Sequence, residues 1–287
     1  MVVADDGAGG SDAVVIDAGA GVAASVAELI RSKGWTLRAV LATHGHADHT
    51  WDAGPLCAEF DVPFRIHAAD AYRIADPLGT LAPKDAVPDM SVAVAIQQAV
   101  RSLGESVADY QAPARIETFQ ALPGEVLQAG AIKLRLIPAP GHTEGSSIYI
   151  ADDISPADEP AELDAAPSVI ADSTPSVIAE STPSVIGDSN SSVIADTNSS
   201  VIPESTPSVI AGSTRNPAPT KLGVAFTGDV LFAGSIGRTD LPGGDYATMA
   251  DTLTRLKSEL DPTLGVIPGH GPATTVAYEL ATNPYLR

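Results

Sequence analysis

The 287-residue sequence lacks the features of disulfide-stabilised, membrane-spanning and nucleic-acid-binding proteins. Cys57 is the single cysteine, so no disulfide can form within the chain. No apolar run approaches the roughly 18 residues of a spanning helix, and no basic start precedes an apolar signal stretch. Only 16 basic residues accompany 36 acidic ones, and the net charge of −20 disfavours nucleic acids and anionic membrane surfaces as partners. We therefore expect a soluble, cytoplasmic protein that binds neither nucleic acid nor membrane.

A short repeat interrupts the chain. The octad PSVIADST and five close variants run from Pro167 to Thr214. The wider stretch 152–220 has no aromatic residue and no histidine, and its eleven acidic residues face the single base Arg215. Eight residues with one Val-Ile pair are too few for a solenoid repeat, which needs about 20 residues that share a buried face. We predict a disordered low-complexity insertion, and a segment that binds an unknown partner is the open alternative.

Outside this stretch, strand and helix patterns alternate. Helical spacing is predicted at Gly21–Lys33 (closed by Gly34), Leu56–Phe60, Met90–Leu103 and Ala247–Leu260. Strands are predicted at Ala13–Asp17, Leu37–Ala42, Pro63–His67, Ile132–Ile137, Ser147–Ile150, Val224–Thr227 and Gly265–Ile267. This alternation is typical of an α/β fold with a buried sheet, built here from residues 1–151 and 221–287 on either side of the insertion 152–220.

Five of the six histidines fall where a predicted strand runs into a loop. The motifs are THGHADHT with His44, His46 and His49, APGHTEG with His142, and PGHGP with His270. In the first motif the three histidines and Asp48 fan out from one short turn, and imidazole with carboxylate is the ligand set of catalytic zinc or iron. Asp229 follows another buried strand, where its carboxylate could bridge two cations. These residues predict a metal site.

Other residues near these motifs have mainly structural interpretations. His67 ends a strand and is expected to be a hydrogen-bonded structural residue. Cys57 lies in a helical pattern and is expected to belong to the core rather than to act as a nucleophile. Asp17, in VIDAG, either orients a metal ligand or starts a turn, and both interpretations stay open.

The motifs THGHADH, PGHTEGS, FTGDVLFAGSIGRTD and PGHGP together resemble the metallo-β-lactamase-fold hydrolases. The closest resemblance is to the glyoxalase II-like (hydroxyacylglutathione hydrolase) branch that lacks the C-terminal helical domain, and it runs from about Val14 onward apart from the insertion. It implies an αββα sandwich with the metal site at one edge between the two sheets. Relatives usually carry a strand ahead of the segment Val2–Asp17, and without it one sheet would lose a member and expose an edge.

The resemblance implies a centre with two divalent metal ions. Carried over position by position, it gives His44, His46 and His142 to the first metal, Asp48, His49 and His270 to the second, and Asp229 as the bridge. Zinc is implied, and iron and manganese stay open because these ligand types do not select among the three ions. Asp48 and Asp229 are the candidate catalytic residues, because they could orient an attacking hydroxide.

The resemblance also implies hydrolysis of a small-molecule thioester, such as S-D-lactoylglutathione. Metal coordination lowers the pKa of bound water from 15.7 to about 7, so that a metal-bound hydroxide can attack the thioester carbonyl. Arg238, in the GRTD segment with Asp240, either contacts substrate or forms a structural ion pair, the interpretation that we favour. Tyr72 and the region Asp70–Arg115 are expected to shape the pocket wall.

Two other functions stay open. Iron-dependent persulfide dioxygenases share the His-X-His-X-Asp-His frame but use only the positions that match His44, His142 and Asp229, on one iron. The segments GSIGRTDLPGG and PGHGP look more like the hydrolase branch. The third possibility is a non-catalytic or vestigial protein, against which the complete ligand set argues.

Overall fold

Strands and helices alternate along the residues that the computed structural model describes, 1–81, 90–104, 106–154 and 222–287. The strands are β1 (Val2–Asp5), β2 (Ser11–Ile16), β3 (Thr36–Leu41), β4 (Phe64–His67), β5 (Ile116–Phe119), β6 (Val126–Ala129), β7 (Ile132–Pro138), β8 (Ser147–Ile154), β9 (Leu222–Gly228), β10 (Leu231–Phe232), β11 (Ser235–Ile236), β12 (Gly265–Pro268) and β13 (Thr274–Thr275). The α-helices are α1 (Ala23–Lys33), α2 (Ala47–Thr50), α3 (Ala53–Phe60), α4 (Met90–Ser102), α5 (Tyr246–Glu259) and α6 (Val276–Thr282). Turns of 3-10 helix cover Ala68–Ala75, Gly79–Leu81 and Val107–Asp109.

The strands form two main sheets and one small hairpin. The first sheet has the order β1-β2-β3-β4-β5, with β1 antiparallel to β2 and the other neighbours parallel. The second has the order β13-β12-β9-β8-β7-β6, in which β9 and β12 are parallel and the other pairs antiparallel. Strands β10 and β11 pair with each other. As a result β7, β9 and β12 all point in one direction.

Alternating side chains sort the core into layers. In β2, Ala13 and Val15 join the apolar cluster that includes residues of α1 and α3, whereas Val14 joins the cluster between the sheets. In β8, Ile148 packs in the cluster that includes α5 residues, whereas Tyr149 faces the other sheet. Because successive strand residues point to opposite faces, each sheet is covered by helices on its outer face. The architecture is therefore the αββα sandwich that the resemblance implies.

The predicted helices and strands recur with small shifts at their ends. Helix α1 ends as predicted, because Gly34 adopts a left-handed φ of 66° and its N–H closes the last turn. The sequence patterns did not predict β5, β6, β10, β11, β13 and α6. Strand β5 is almost wholly exposed and β6 alternates between exposed and buried residues, so neither has a continuous apolar pattern. The segment Val2–Asp17 holds two strands, with β1 at the edge of the first sheet. The expectation that relatives carry a further strand before this segment stays a prediction.

Residues 155–221, which include most of the predicted insertion 152–220, lie outside the described residues. The predictions that the insertion is disordered and that it binds an unknown partner concern that part of the chain. At the predicted start of the insertion, β8 continues to Ile154, and Asp152 pairs with Arg135 of β7 at 2.6 Å. The flanking strands pair with each other, with Ile154 opposite Leu222. The chain thus leaves and re-enters the sheet at neighbouring positions, as it does in a hairpin. No helix in the described part of the chain has the length and hydropathy needed to cross a bilayer.

We expect deletion of residues 158–217 to leave the fold and its activity nearly unchanged. Loop closure changes by only about 0.6 kcal/mol for each doubling of loop length, and β8 and β9 keep all their paired residues. Calorimetry should show a Tm within about 4 °C of the full chain, the shift that roughly 1 kcal/mol produces in a domain of this size. A control deletion of residues 150–217 removes part of β8 and should unfold the protein. Equal damage by both deletions would contradict this expectation.

Candidate metal centre

The predicted ligands come together because four strands end beside one another. His142 follows β7, Asp229 follows β9 and His270 follows β12, three strands that point in the same direction within the second sheet. The loop after β3 of the first sheet brings the HGHADH motif to the same place, and α2 begins within it. The site therefore lies between the two sheets, where the ends of their strands meet.

Three imidazoles form a first triad. Nδ1 of His46 lies 3.1 Å from Nε2 of His44 and 2.9 Å from Nε2 of His142. All three side chains are buried, with at most 4% of each residue exposed. One proton can join only one pair of these nitrogens at a time, so three converging nitrogen lone pairs fit a cation better than a hydrogen-bond network. Their ligand atoms lie within 4.8 Å of one another.

A second triad lies next to the first. Nε2 of His270 is 3.2 Å from Oδ2 of Asp48 and 3.3 Å from Nε2 of His49. The distance from Nε2 of His49 to Oδ2 of Asp48 is 3.8 Å. Two nitrogens and one carboxylate oxygen form a ligand set suited to zinc, iron or manganese.

Asp229 lies between the two triads. Its Oδ2 is 3.6 Å from Nε2 of His142 in the first triad and 3.6 Å from Nε2 of His270 in the second. Its Oδ1 is 3.3 Å from Nε2 of His49, yet it is buried and accepts no hydrogen bond. A buried carboxylate oxygen without a hydrogen-bond partner is costly unless a cation satisfies it. The residues present therefore fit two divalent ions with a shared carboxylate.

Outer contacts decide which ring nitrogen of His49 and of His142 faces the site. Nδ1 of His49 lies 3.0 Å from Oδ2 of Asp17, and Nδ1 of His142 lies 2.6 Å from the carbonyl oxygen of Arg238. Each oxygen can accept a hydrogen bond from Nδ1–H, which leaves Nε2 unprotonated and able to donate its lone pair to a metal. Asp17 also accepts hydrogen bonds from the amide and hydroxyl of Thr43. Asp17 therefore orients a candidate ligand, the first of its two interpretations.

Burial keeps the first triad neutral. Loss of solvent lowers the pKa of His46 to about 3 and holds the pKa of His44 well below its usual range. Burial likewise lowers the pKa of His142, although the carboxylate of Asp229 opposes the effect. Neutral imidazole is the form that binds metals, so these three side chains are ready to ligate at neutral pH.

The second triad carries charge. Burial alone would lower the pKa of His49, but the carboxylates of Asp229, Asp48 and Asp17 raise it well above the usual value. The hydrogen bond to Asp48 raises the pKa of His270. Burial would raise the pKa of both carboxyls, yet the charge of His49 holds the pKa of Asp48 and of Asp229 below the usual range. In the metal-free protein this half of the site is thus a set of ion pairs.

The remaining predicted residues lie around this centre. Cys57 is buried in the core and burial raises its pKa to about 12, so its thiol is inert as predicted. His67 is structural as predicted, since its ring contacts the carbonyl of Gln120 and the amide of Ala69. The guanidinium of Arg238 donates to both carboxylate oxygens of Asp240, at 2.7 and 2.6 Å. The backbone carbonyl of Arg238 lies 2.6 Å from Nδ1 of the candidate ligand His142.

One groove has Glu144, a neighbour of His142 in the chain, in its wall, and none of the candidate ligands is among the residues that line it. Its volume is about 810 Å³, and its walls include Tyr72, Thr80, Glu144 and Leu241. Glu144 is two residues beyond the candidate ligand His142, and Tyr72 is half-exposed as expected of a pocket wall. Asp70, by contrast, is fully buried and does not line the groove.

Sequence reasoning missed the residues that hold the ligand loops in place. Asp70 bonds to the backbone on both sides of the first triad. Glu279 of α6 is buried and accepts hydrogen bonds from the amide of Gly234 and the hydroxyl of Thr274, which fixes the loops after Asp229 and His270. Asp70 follows a strand end, as the ligands do, but its partners are distant in sequence.

The comparisons with known proteins agree with this geometry. The sequence model of the metallo-beta-lactamase superfamily matches residues 1–153. An uncharacterized protein of Mycobacterium tuberculosis is 26% identical over 277 residues, 96% of this chain and 88% of its own. The hydroxyacylglutathione hydrolase GloC of Haemophilus influenzae is 49% identical over 63 residues, 22% of this chain and 30% of its own.

Solved structures show the same fold. The B3 metallo-beta-lactamase BLEG-1 has a TM-score of 0.54 at 22% identity and covers 96% of this chain and 88% of its own. The protein TTHA1623 in a di-iron-bound form also has a TM-score of 0.54 at 22% identity, covering 99% of this chain and 93% of its own.

We expect Gly269→Ala to weaken metal binding at least about tenfold, the lower range for changes next to metal ligands. A Cβ at position 269 would collide with Oδ1 of Asp229 and Cε1 of His49. Gly265→Ala, at the start of β12, is the matched control, because its Cβ would make only ordinary contacts, with Val224 at 3.6 Å and Gly223 at 3.9 Å. Chelator competition on both variants checks this. Equal zinc affinity in the two would contradict the packing argument.

We expect the two metals to differ in their pH dependence. The ion that binds at Asp48, His49 and His270 must displace protons from two imidazoles whose pKa is raised. Its apparent affinity should therefore rise with pH through and above the usual histidine range, whereas the first triad is already unprotonated there. Zinc titrations at about pH 6, 7 and 8, in buffers of different ionisation enthalpy, measure the protons released. Identical pH slopes for both equivalents would contradict this assignment.

Proposed function

Because the chain belongs to the metallo-β-lactamase superfamily, we propose that it is a metal-dependent hydrolase of thioesters. The proposed substrates are hydroxyacylglutathiones such as S-D-lactoylglutathione. The observation that carries the proposal is the pair of ligand triads with Asp229 between them, Oδ2 being 3.6 Å from a histidine of each. Such an arrangement suits two ions that act together on one carbonyl group.

The proposed roles follow from the positions and charges of the side chains. His44, His46 and His142 would hold one ion, Asp48, His49 and His270 the other, and Asp229 both. Divalent ions so held supply a Lewis acid for the carbonyl oxygen and lower the pKa of a bound water from 15.7 to about 7. Since their pKa values are held low, Asp48 and Asp229 stay ionised and could orient the attacking hydroxide.

The chain provides no better nucleophile among its described residues. The thiol of Cys57 is buried in the core, and its pKa of about 12 leaves it protonated at neutral pH. The leaving group of a thioester is a thiolate, whose conjugate acid has a pKa near 8.5. Its departure therefore needs no strong general acid. A site of histidines and carboxylates without a spare proton donor is therefore suited to thioesters.

Two observations support the substrate class. The short stretch in common with the hydroxyacylglutathione hydrolase GloC is 49% identical. The groove of about 810 Å³ has the volume of a small-molecule site, with Tyr72 and Glu144 in its walls. We assign the thiol carrier of the substrate to this groove. Arg238 is engaged with Asp240, which favours a structural role for its guanidinium.

The persulfide dioxygenase alternative predicts a different metal content. It would use one iron on His44, His142 and Asp229, and the triad of Asp48, His49 and His270 would then have no ligand role. The short distances within that triad weigh for the two-metal hydrolase. One iron per chain, with oxygen consumed on glutathione persulfide, would favour the dioxygenase.

We expect the purified chain to bind two divalent ions and to hydrolyse S-D-lactoylglutathione, and His46→Ala to lower the rate by more than about 100-fold. The substitution removes a nitrogen at the centre of the first triad, and even outer contacts of a metal site are typically worth 10–100-fold. The assay follows release of free thiol, alongside elemental analysis.

His67→Ala is the matched control, because His67 contacts only backbone groups in the hydrogen bonds that it makes and lies outside the triads. It should keep the wild-type metal content and rate. Hydrolysis that survives His46→Ala would overturn the two-metal assignment, and a wild-type chain that binds two ions without hydrolysis would overturn the substrate class. A chain that binds no ion would favour the vestigial alternative.

A further inference from the structure

Asp70 occupies a position that no part of the proposed chemistry uses. It lies in the 3-10 turn Ala68–Ala75 after β4, an element that contributes no candidate metal ligand. Its carboxylate is completely buried. A buried carboxylate is costly unless it is fully hydrogen-bonded, so its partners indicate what it is for.

The partners of Asp70 are the two loops that carry the first triad. Oδ2 accepts a hydrogen bond from the amide of Gly45 at 2.8 Å and another from the hydroxyl of Thr143 at 2.7 Å. Oδ1 accepts a hydrogen bond from the amide of Gly145 at 2.8 Å. Gly45 lies between His44 and His46, and Thr143 follows His142. One carboxylate thus spans the gap between the ligands that different strands supply.

The loops are shaped to let this carboxylate in. A Cβ at position 145 would lie 2.7 Å from Cγ of Asp70, and a Cβ at position 45 would lie 2.8 Å from Cδ of Arg73. Both contacts are shorter than real Cβ atoms show, so glycine is required at each. The neighbouring Arg73 is also fully buried, lies 3.6 Å from Oδ1 of Asp70 and donates to the carboxylate of Glu144 at 2.6 Å.

The second triad is held by other groups. Asp17 contacts Nδ1 of His49, and Glu279 fixes the loops around Asp229 and His270. The hydrogen bonds that Asp70 accepts from Gly45, Thr143 and Gly145 do not reach Asp229 or His270. Loss of the Asp70 contacts should therefore act on the two metals unequally.

We propose that Asp70 is a positioning residue that sets the separation of His46 and His142 and thereby the affinity of the first metal subsite. This inference rests on the metal centre of the proposed function but not on its substrate. Asp70→Asn replaces one acceptor oxygen by an NH₂ donor, which must face either the amide of Gly145 or the amide of Gly45 together with the hydroxyl of Thr143. Donor then meets donor, and one loop moves away.

The test is a zinc titration of the full-length apoprotein with a competing chelator, paired with calorimetry. Asp70→Asn should bind one equivalent with wild-type affinity and the other about 10–100-fold more weakly, the usual loss for groups that orient metal ligands. Cobalt(II) substitution should show the matching change in the visible spectrum of one ion only. Rates should fall through kcat more than through KM, since the groove is unchanged.

Asp12→Asn is the matched control. Asp12 is also buried, and its carboxylate accepts hydrogen bonds from Arg38 at 2.6 Å and from the amide of Ala131 at 2.7 Å, away from the centre. It should lower the Tm and leave both zinc affinities unchanged. If Asp70→Asn behaves in the same way, Asp70 is merely structural and the proposal is overturned.

Thr143→Val keeps the inference testable if Asp70→Asn does not fold. It removes a single contact of Asp70, so it should weaken the same zinc equivalent by a smaller factor; two unchanged equivalents would contradict the proposal. A wild-type chain that binds two zinc ions but hydrolyses no thioester would overturn the proposed function and leave this inference standing.

Discussion

Crowding of ligand atoms in a buried space is the constraint on which the rest of this structure depends. Nδ1 of His46 lies within 3.1 Å of two other ring nitrogens, and Oδ1 of Asp229 is buried without a hydrogen bond. Each unsatisfied buried polar atom costs about 1–3 kcal/mol, so a metal-free centre of this kind opposes folding. The surrounding fold must therefore be stable enough to hold these groups together before any ion stabilises them.

The sandwich meets this requirement by dividing the work. Apolar residues alternate along β2 and β8 and build three layers of core, which fixes both sheets without using the ends of their strands. The strand ends are then free to carry polar loops, and carboxylates anchor those loops. Asp17 contacts His49 itself, Asp70 accepts a hydrogen bond from Thr143 beside His142, and Glu279 accepts one from Thr274 in the loop after His270. Each anchor is a hydrogen-bond acceptor for groups that would otherwise lack partners.

Strands, candidate ligands and the residues that hold the ligand loops were not equally predictable from the sequence, for a physical reason. Buried strands and the helix α1 follow from short-range patterns, because burial on one or both faces dictates residue choice at a fixed period. The candidate ligands were recognisable because four of them share one turn. Asp70 was not, since its partners Gly45 and Gly145 are 25 and 75 residues away and depend on how two loops approach. Strands β5 and β6 were missed because half-exposed strands need not be continuously apolar.

The acidic insertion is compatible with a metal centre because of where it joins the sheet. The chain re-enters at Leu222, the first residue of β9, whereas Asp229 follows the last residue of the same strand. Seven residue steps at about 3.3 Å each separate these points by roughly 23 Å. This distance exceeds the Debye length of about 8 Å at physiological ionic strength. Acidic residues beside the attachment points are therefore screened from the candidate ligands. Half of the net charge of −20 lies in residues 152–220, so the total charge describes that stretch as much as it describes the site.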